Sequence, residues 1–194
     1  SVINKYLPAE GHFLFVAGNC AAAAAHFLKI PPNVSTNIAL GMGGMGYAIA
    51  GAIGAQLGES KESRTTVLCG DGAFMMTGLE IHTAVDLQLP ILWIVFNNNM
   101  HGMCVTRQQL YFSGRIEGNT YGSVDIATIS KGFGGKERIW AKTATSLTEL
   151  DALLDEYVSC TVHMPGVLEL KIAEEELPPF MPFVTPGAEI EKAW

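Results

Sequence analysis

The chain has little positive charge, no paired-cysteine motif and no long hydrophobic run, and each absence excludes a class of protein. Its 12 lysines and arginines are outnumbered by 19 aspartates and glutamates, which gives a formal net charge of −7. An acidic balance disfavours nucleic acid as a partner, because phosphate backbones attract basic surfaces. Small anions are not excluded, since backbone N–H groups bind them without any lysine.

Cysteine usage and hydropathy indicate a reduced compartment and no membrane. The sequence has four scattered cysteines with no CxxC pair: Cys20, Cys69, Cys104 and Cys160. We expect these to be reduced thiols in a cytoplasmic protein. The apolar run 91–96 is far too short to cross a membrane. Residues 11–30 are apolar but lack a basic region in front, which argues against a signal peptide. Because the chain begins at Ser1 without a methionine, we expect further sequence upstream.

Short apolar runs alternate with helical patterns along a chain that is 48% hydrophobic and only 16% charged. The runs are continuous, as in strands buried on both faces of a parallel sheet. Strands are predicted at 13–16, 66–69, 91–96, 139–143 and 167–172, and helices at 21–28, 45–57, 79–87, 124–131 and 147–158. This predicts an α/β fold: a doubly wound, mainly parallel sheet with helices on both faces. We expect one domain over residues 1–173, followed by a proline-rich arm over 174–194.

A glycine motif at residues 41–46 has two interpretations. It reads Gly-Met-Gly-Gly-Met-Gly, follows a strand-like segment at 37–40 and opens a helix. With Asp71 after the next apolar run, it fits the fingerprint of an NAD-binding Rossmann dehydrogenase domain. Alternatively, small residues spaced four apart let a helix pack closely on its neighbour. That stripe consists of Gly46, Ala50, Gly54 and Gly58.

A second motif favours a different ligand. The run 66–69 leads into Gly70-Asp71-Gly72-Ala73, and the next strand ends in Asn97-Asn98-Asn99. One strand–helix–strand unit separates Asp71 from Asn98, so both are expected at the carboxyl ends of adjacent parallel strands. Carboxylate and amide oxygens there suit Mg²⁺. Free N–H groups of a helical turn that begins at Gly72 would face the same spot. The motif therefore predicts a diphosphate bridged by Mg²⁺.

These residues resemble the thiamine-diphosphate signature of pyruvate decarboxylase, benzoylformate decarboxylase and acetolactate synthase. The resemblance covers the chain but corresponds only to the C-terminal, diphosphate-binding domain of those enzymes. It implies that Asp71, Asn98 and the main-chain oxygen of Met100 hold Mg²⁺, and that Met45 forces the cofactor into a bent shape. Met45, His101 and Met103 are the candidate catalytic residues; His101 either shuttles protons or only caps its loop. The implied cofactor contacts are Gly18, Asn19, Cys20, Gly43, Met45, Gly70, Asp71, Gly72, Ala73, Asn98, Met100, His101, Gly102 and Met103.

Within this family the chain is most similar to acetolactate synthase. The segment 102–112 resembles the part that follows the metal ligands there, and 182–188 resembles an arm that folds over the active site. Two departures concern the substrates. Asn19-Cys20 stands where those enzymes usually have Gln-His. Arg107 and Gln108 occupy the stretch where they have a tryptophan that shapes the pocket of the second substrate. Arg107 either binds a substrate carboxylate or is an ordinary surface arginine.

The resemblance also implies a partner. In this family a glutamate from another domain, usually on a neighbouring subunit, activates the cofactor, and we find no glutamate here in such a context. The chain is therefore expected to be one subunit of a split enzyme or a fragment of a longer one. We expect homo- and hetero-oligomers acting on a 2-keto acid. Two other hypotheses are an NAD-binding dehydrogenase domain and a cofactor-free structural or regulatory relative.

Overall fold

The protein folds around one six-stranded sheet. The computed structural model describes residues 2–60, 62–160 and 164–173. All of the strand pairs are parallel, and the strand order is β2-β1-β3-β4-β6-β5. The strands are β1 (Gly11–Phe15), β2 (Val34–Ile38), β3 (Arg64–Gly70), β4 (Ile91–Asn97), β5 (Trp140–Ala144) and β6 (Gly166–Lys171).

Helices connect the strands and cover both faces of the sheet. They are α1 (Asn19–Phe27), α2 (Tyr47–Leu57), α3 (Asp71–Thr77), α4 (Ile81–Leu87), α5 (Gly102–Tyr111), α6 (Ile126–Lys131) and α7 (Leu147–Cys160), with 3₁₀ turns at Ile3–Lys5 and Gly78–Glu80. Core side chains of α2, α3, α4 and α6 pack on one face, and those of α1 and α7 on the other. The predicted doubly wound α/β fold is confirmed.

Alternation along the central strands produces the two core layers. Val67 of β3 and Trp93 of β4 are buried on the α2 side, while Leu68 and Ile94 are buried on the α7 side. Successive side chains of a strand point to opposite faces, so a strand between two helical layers must be apolar at every position. The Trp93 indole N–H donates to the carbonyl of Ile49 in α2 at 3.3 Å, so this buried ring also has its polar atom paired.

The topology fixes where a ligand can bind. Strands β1 and β3 are neighbours, yet the helix after β1 packs on one face and the helix after β3 on the other. The loops after these strands therefore diverge and leave a crevice at their carboxyl ends, which is the usual ligand position in open α/β sheets. That crevice lies between Gly18 at the start of α1 and Asp71 at the start of α3.

The structure differs from the local predictions at several points. Strand β2 begins earlier than the strand-like segment 37–40. Helix α2 starts at Tyr47, after Gly46 in a left-handed conformation, and α5 was not predicted. The small-residue stripe packs closely only in part: a Cβ added at Gly46 would lie 2.6 Å from Thr77 Oγ1, whereas one added at Gly54 would meet nothing within 4 Å. Helix α2 instead buries its aliphatic face: Ala48, Ile49, Ala52 and Ile53.

Two further predictions concern the rest of the chain. Within the described ranges, no helix is long and apolar enough to span a membrane. The predicted arm at 174–194 lies outside the described residues, so the division at residue 173 stays a prediction.

Candidate functional site

One cavity of about 630 Å³ opens at the carboxyl ends of the strands and gathers the residues singled out from the sequence. The loops after β1, β2, β3 and β4 all contribute to it. Every predicted cofactor or metal residue lines it: Gly18, Asn19, Cys20, Gly43, Met45, Gly70, Asp71, Gly72, Ala73, Asn98, Met100, His101, Gly102 and Met103. The spacing argument thus placed Asp71 and Asn98 correctly at one sheet edge, while their ligand roles stay predictions.

Asp71 is the buried charge of the cavity. Its side chain is 2% exposed, and its Oδ1 accepts the backbone N–H of Gly72 at 2.8 Å. Its Oδ2 is buried and has no hydrogen-bond partner in the described parts of the chain, where no lysine or arginine forms an ion pair with it either. A buried carboxylate is costly unless a cation or donors compensate it. Asp71 is therefore suited to binding a cation.

Gly72 leaves room for a side chain from another loop. A Cβ at this position would lie 2.5 Å from His101 Nδ1 and 3.3 Å from Met45 Cε. The imidazole and the thioether thus close over the start of α3, and only glycine fits beneath them. His101 Nδ1 is buried without a hydrogen-bond partner among the described residues. Its ring packs edge-on against Tyr121, with 5.5 Å between the centroids.

The loop that follows β4 is fixed by the segment 119–124. The backbone N–H of His101 donates to the carbonyl of Asn119 at 2.8 Å, and that of Tyr121 donates to the carbonyl of Asn99 at 3.1 Å. Met100 and Thr120 form an antiparallel bridge between them. Asn99 has a positive φ of 57°, which asparagine tolerates better than most residues. Since Asn98 and Met100 belong to this loop, their positions are set before any ligand binds.

A fully buried carboxylate supports the same loop from below. Glu169 on β6 accepts from Asn97 Nδ2 at 2.5 Å, from Lys171 Nζ at 2.7 Å and from Thr143 Oγ1 at 3.0 Å. Burial alone would raise the pKa of Glu169, but hydrogen bonds from Lys171, Asn97 and the Ala127 N–H hold it below its ordinary value. Glu169 is therefore a charged anchor under the end of β4.

A hydrogen bond joins the two helices that border the cavity. Asn19 Nδ2, in the first turn of α1, donates to Thr106 Oγ1 in α5 at 3.0 Å, and both side chains are buried. Residues 102–107 line the cavity at Gly102, Met103, Cys104 and Arg107. The bond therefore fixes the α5 wall relative to the loop after β1.

The glycine loop after β2 forms another wall. Gly43 and Gly46 have positive φ angles of 67° and 84°, a conformation that glycine adopts most readily. The Thr77 hydroxyl donates to the carbonyl of Gly46 at 3.1 Å, which ties this loop to the end of α3. Met45 and Gly43 line the cavity.

This arrangement differs from the dinucleotide fingerprint. In that fingerprint one strand leads into the glycine-rich turn, and the acidic residue follows the strand that pairs with it in the sheet. Here the turn follows edge strand β2, while Asp71 follows β3, and β1 lies between them. In the described ranges, no cluster of three or more His, Cys, Asp or Glu side chains could hold a metal. A metal here must therefore use amide or carbonyl oxygens as well as Asp71, as the predicted ligand set does.

Sequence reasoning missed three residues around the site. Thr106 was not distinguished from its neighbours, and Tyr121 follows no motif. Glu169 had a visible signal, because it is an acidic residue inside the apolar run 167–170, where an ionised side chain needs partners. The cavity lining also includes Arg107 and an apolar stretch of Ala23, Ala24 and Phe27 from α1.

Comparison with known proteins identifies the family. Residues 16–169 match the family described as "Thiamine pyrophosphate enzyme, C-terminal TPP binding domain". The chain belongs to this family. Thiamine pyrophosphate is another name for thiamine diphosphate, so the predicted cofactor, with the Mg²⁺ that accompanies its diphosphate in such enzymes, is confirmed at the level of the family. The NAD-binding alternative is not supported.

The similar curated proteins include several acetolactate synthases. The chain is 32% identical over 170 residues to the acetolactate synthase isozyme 2 large subunit of Escherichia coli (strain K12), covering 86% of this chain and 29% of that protein. It is 30% identical over 190 residues to the acetolactate synthase large subunit of Pyropia yezoensis, covering 96% of this chain and 30% of that protein. The chain thus spans about 30% of the length of these relatives.

Solved structures agree on the fold. The thiamine diphosphate-dependent 4-hydroxybenzoylformate decarboxylase of Rhodococcus jostii RHA1 matches with a TM-score of 0.78 at 17% identity, over 90% of this chain and 32% of that chain. Benzoylformate decarboxylase from Polynucleobacter necessarius matches with a TM-score of 0.77 at 22% identity, over 92% of this chain and 33% of that chain. At these identities the likeness establishes the fold alone.

Proposed function

We propose that this chain is the Mg²⁺- and diphosphate-binding part of a thiamine-diphosphate-dependent 2-keto acid carboligase or decarboxylase. The observation that carries the proposal is the buried Asp71 carboxylate, whose Oδ2 lacks a hydrogen-bond partner and which forms no ion pair among the described residues. A divalent cation supplies the missing charge. Membership of the thiamine pyrophosphate enzyme family supports the identity of the cofactor.

The proposed roles follow the walls of the cavity. Asp71, Asn98 and the main-chain oxygen of Met100 hold Mg²⁺. The loops at 18–20 and 70–73 accommodate the diphosphate, and Gly43 and Met45 contact the rings of the cofactor. When bound, thiamine diphosphate supplies a carbanion that adds to a keto carbon and stabilises the charge left after CO₂ departs. His101, held over Gly72, is placed to move a proton beside the reacting atoms.

The active site needs a second chain or domain. The described residues that line the cavity include one carboxylate, Asp71, and no glutamate. The buried Glu169 is committed to Lys171 and Asn97 and lies outside that lining. We therefore infer that the glutamate that activates the cofactor comes from a partner carrying the pyrimidine-binding module. This chain would then assemble into homo- and hetero-oligomers, with the active site at the interface between this chain and its partner. Three free cysteines in the described ranges support a cytoplasmic setting.

Between the two reaction types, the sequence relatives favour carboligation. The curated relatives are named acetolactate synthases, and one of them is 32% identical over 86% of this chain. The two decarboxylase structures are more distant in sequence. Arg107 departs from the acetolactate synthase pattern, which points to a different acceptor from the one those enzymes use.

Native mass spectrometry of the tagged protein, purified gently from its natural host with Mg²⁺, tests the proposal. We expect a complex with a second polypeptide or domain and one thiamine diphosphate for each copy of this chain. Asp71→Ala should abolish Mg²⁺-dependent retention of the cofactor. Asp155→Ala is the matched control, because Asp155 is exposed on α7 away from the cavity. Retention of the cofactor by Asp71→Ala, or uptake of NAD without metal, would overturn the assignment.

A further inference from the structure

The cavity contains one acidic and one basic side chain that do not pair with each other. Asp71 and Arg107 are, histidine aside, the only ionisable acid and base among the described residues that line it. They form no ion pair together, and Arg107 forms no ion pair with any described residue. The carboxylate is buried and suited to a cation, whereas the guanidinium is exposed in the cavity and suited to an anion.

Helix α5 holds Arg107 on an ordered wall. Thr106, the residue before it, is buried, and its Oγ1 accepts from Asn19 Nδ2 at 3.0 Å. Gln108, the residue after it, exchanges hydrogen bonds of 3.1 and 3.2 Å with the backbone of Glu117. Arg107 thus lies between two anchored neighbours. A binding group on an ordered backbone loses less conformational entropy when its ligand arrives.

The surroundings of Arg107 strengthen its attraction for an anion. Other side chains of the cavity lining are largely apolar, among them Met45, Met103 and Phe27. Opposite charges attract each other more strongly beside apolar groups than in bulk water. The planar guanidinium also offers parallel N–H groups that match the oxygens of a carboxylate or a similar acid group. This wall therefore recognises an anionic group of a ligand.

The chemistry of a 2-keto acid decides which anionic group that is. Its carboxylate leaves as CO₂, so the negative charge moves away from that group as the reaction proceeds. An arginine bound to this carboxylate would stabilise the starting state more than the transition state and would slow the step. A group whose charge stays the same throughout can be bound without that penalty.

We propose that Arg107 binds a second anionic group, one that remains on the product after CO₂ has left. The inference rests on the proposed function, because it takes a 2-keto acid as the substrate. The second group is either an acid at the far end of the keto acid that is decarboxylated, or the carboxylate of a 2-keto acid that acts as acceptor. In both cases the product is an anion and not a neutral aldehyde or ketone.

The experiment compares wild type, Arg107→Gln and Arg115→Gln in the complex as purified from its host. Arg115 is the control, because it is exposed and does not line the cavity. Donors labelled at C1 are offered in pairs of equal carbon number that end in a carboxylate or a methyl group: 2-oxobutanedioate with 2-oxobutanoate, 2-oxopentanedioate with 2-oxopentanoate, and 2-oxohexanedioate with 2-oxohexanoate. Labelled CO₂ gives kcat/KM for each donor. A second series varies the acceptor, with pyruvate or acetaldehyde.

The two sources of the anionic group give different results. If it lies on the donor, wild type should prefer one dicarboxylate over its methyl-ended counterpart about tenfold in kcat/KM, as expected for one charge-assisted hydrogen bond. Arg107→Gln should abolish that preference and leave the methyl-ended donor unchanged. If it lies on the acceptor, Arg107→Gln should raise the KM for pyruvate as acceptor about tenfold and leave that for acetaldehyde unchanged. Arg115→Gln should behave as wild type throughout.

Three results would overturn the inference. An equal loss with every donor would show that Arg107 holds the carboxylate that leaves. A lower retention of thiamine diphosphate by Arg107→Gln would identify Arg107 as a ligand of the diphosphate. The absence of both a donor effect and an acceptor effect would leave Arg107 without a substrate group. If the wild-type complex itself contains no thiamine diphosphate, the proposed function fails instead, so the two failures are distinguishable.

Discussion

Asn19 and Thr106, which are far apart in sequence, form a buried hydrogen bond of 3.0 Å between the first turn of α1 and the middle of α5. The bond joins the loop after β1 to the helix that follows the predicted metal loop. The bond therefore couples the positions of two walls of the cavity. This coupling makes the shape of the cavity depend on a residue, Thr106, that does not line it.

Thr106→Val should weaken both the fold and the site. Valine keeps the volume but removes the acceptor, which costs about 1–2 kcal/mol in the free energy of unfolding. We also expect weaker retention of thiamine diphosphate, because the two helices lose their fixed separation. Urea denaturation and equilibrium dialysis measure the two effects. Thr36→Val is the control, since Thr36 is exposed on edge strand β2 and should leave both unchanged.

Gly72→Ala should disable the site by displacing His101. The new methyl group would lie 2.5 Å from His101 Nδ1 and 2.8 Å from Cε1, so the imidazole must move. Overpacking of this kind costs about 1–3 kcal/mol, and cofactor retention should fall with it. Gly54→Ala is the matched control, because nothing lies within 4 Å of its added methyl group. That variant should gain about 0.5–1 kcal/mol in helix α2. Equal cofactor binding by both variants would contradict the prediction.

Removing the charge of Glu169 should loosen the loop after β4. Glu169→Gln keeps the shape of the side chain but leaves Lys171 without its counter-ion and forces one N–H group toward other donors. We expect a loss of about 2 kcal/mol in the free energy of unfolding and a higher Mg²⁺ requirement for cofactor retention. Glu156→Gln is a suitable comparison, because Glu156 also pairs with a lysine but lies on α7, away from the loop. An unchanged Mg²⁺ requirement in Glu169→Gln would show that Glu169 does not affect metal binding at the site.

The same residue gives the stability a pH dependence. The folded-state pKa of Glu169 lies below its ordinary value of 4.5, so the folded protein binds fewer protons than the unfolded chain in this range. Its contribution is therefore complete above about pH 4.5 and is lost as the pH falls through the lower, folded pKa. Denaturation midpoints between pH 6 and pH 3 should fall less steeply in Glu169→Gln than in wild type. Parallel curves would contradict this assignment.

Arg107 should bind the anionic end of the substrate. It is the one lysine or arginine among the described residues that line the cavity. In the assembled enzyme, Arg107→Gln should raise the KM for the 2-keto acid about tenfold with a smaller change in kcat, which corresponds to one charge-assisted hydrogen bond. Arg107→Lys should recover part of the loss. Arg115→Gln, at an exposed position outside the cavity, should not change KM. A KM unchanged in Arg107→Gln would mark it as an ordinary surface arginine.

The sequence predicted the parts of the fold and site that depend on local pattern. Continuous apolar runs identified the buried strands, and the spacing of Asp71 and Asn98 placed both at one edge, because parallel strands must return in the same direction. The edge strand β2 was misplaced because its residues are mostly exposed and carry no apolar signal. Helix α5 was missed because its sequence lacks a clear apolar face, and contacts with other loops determine its position. The partnership of Thr106 with Asn19 depends on long-range packing, which no local pattern encodes.

The connection between α5 and the segment 119–124 has a consequence for how this protein can change. Gln108 exchanges two hydrogen bonds with the backbone of Glu117, at 3.1 and 3.2 Å, which closes the base of an exposed loop over residues 112–116. Residues inserted into this loop should leave α5 and the segment 119–124 in place, because the two hydrogen bonds hold the ends of the loop together. Doubling the length of a flexible loop costs only about 0.6 kcal/mol. This loop is therefore a place where the chain should accept an insertion without a change in the cavity walls behind it.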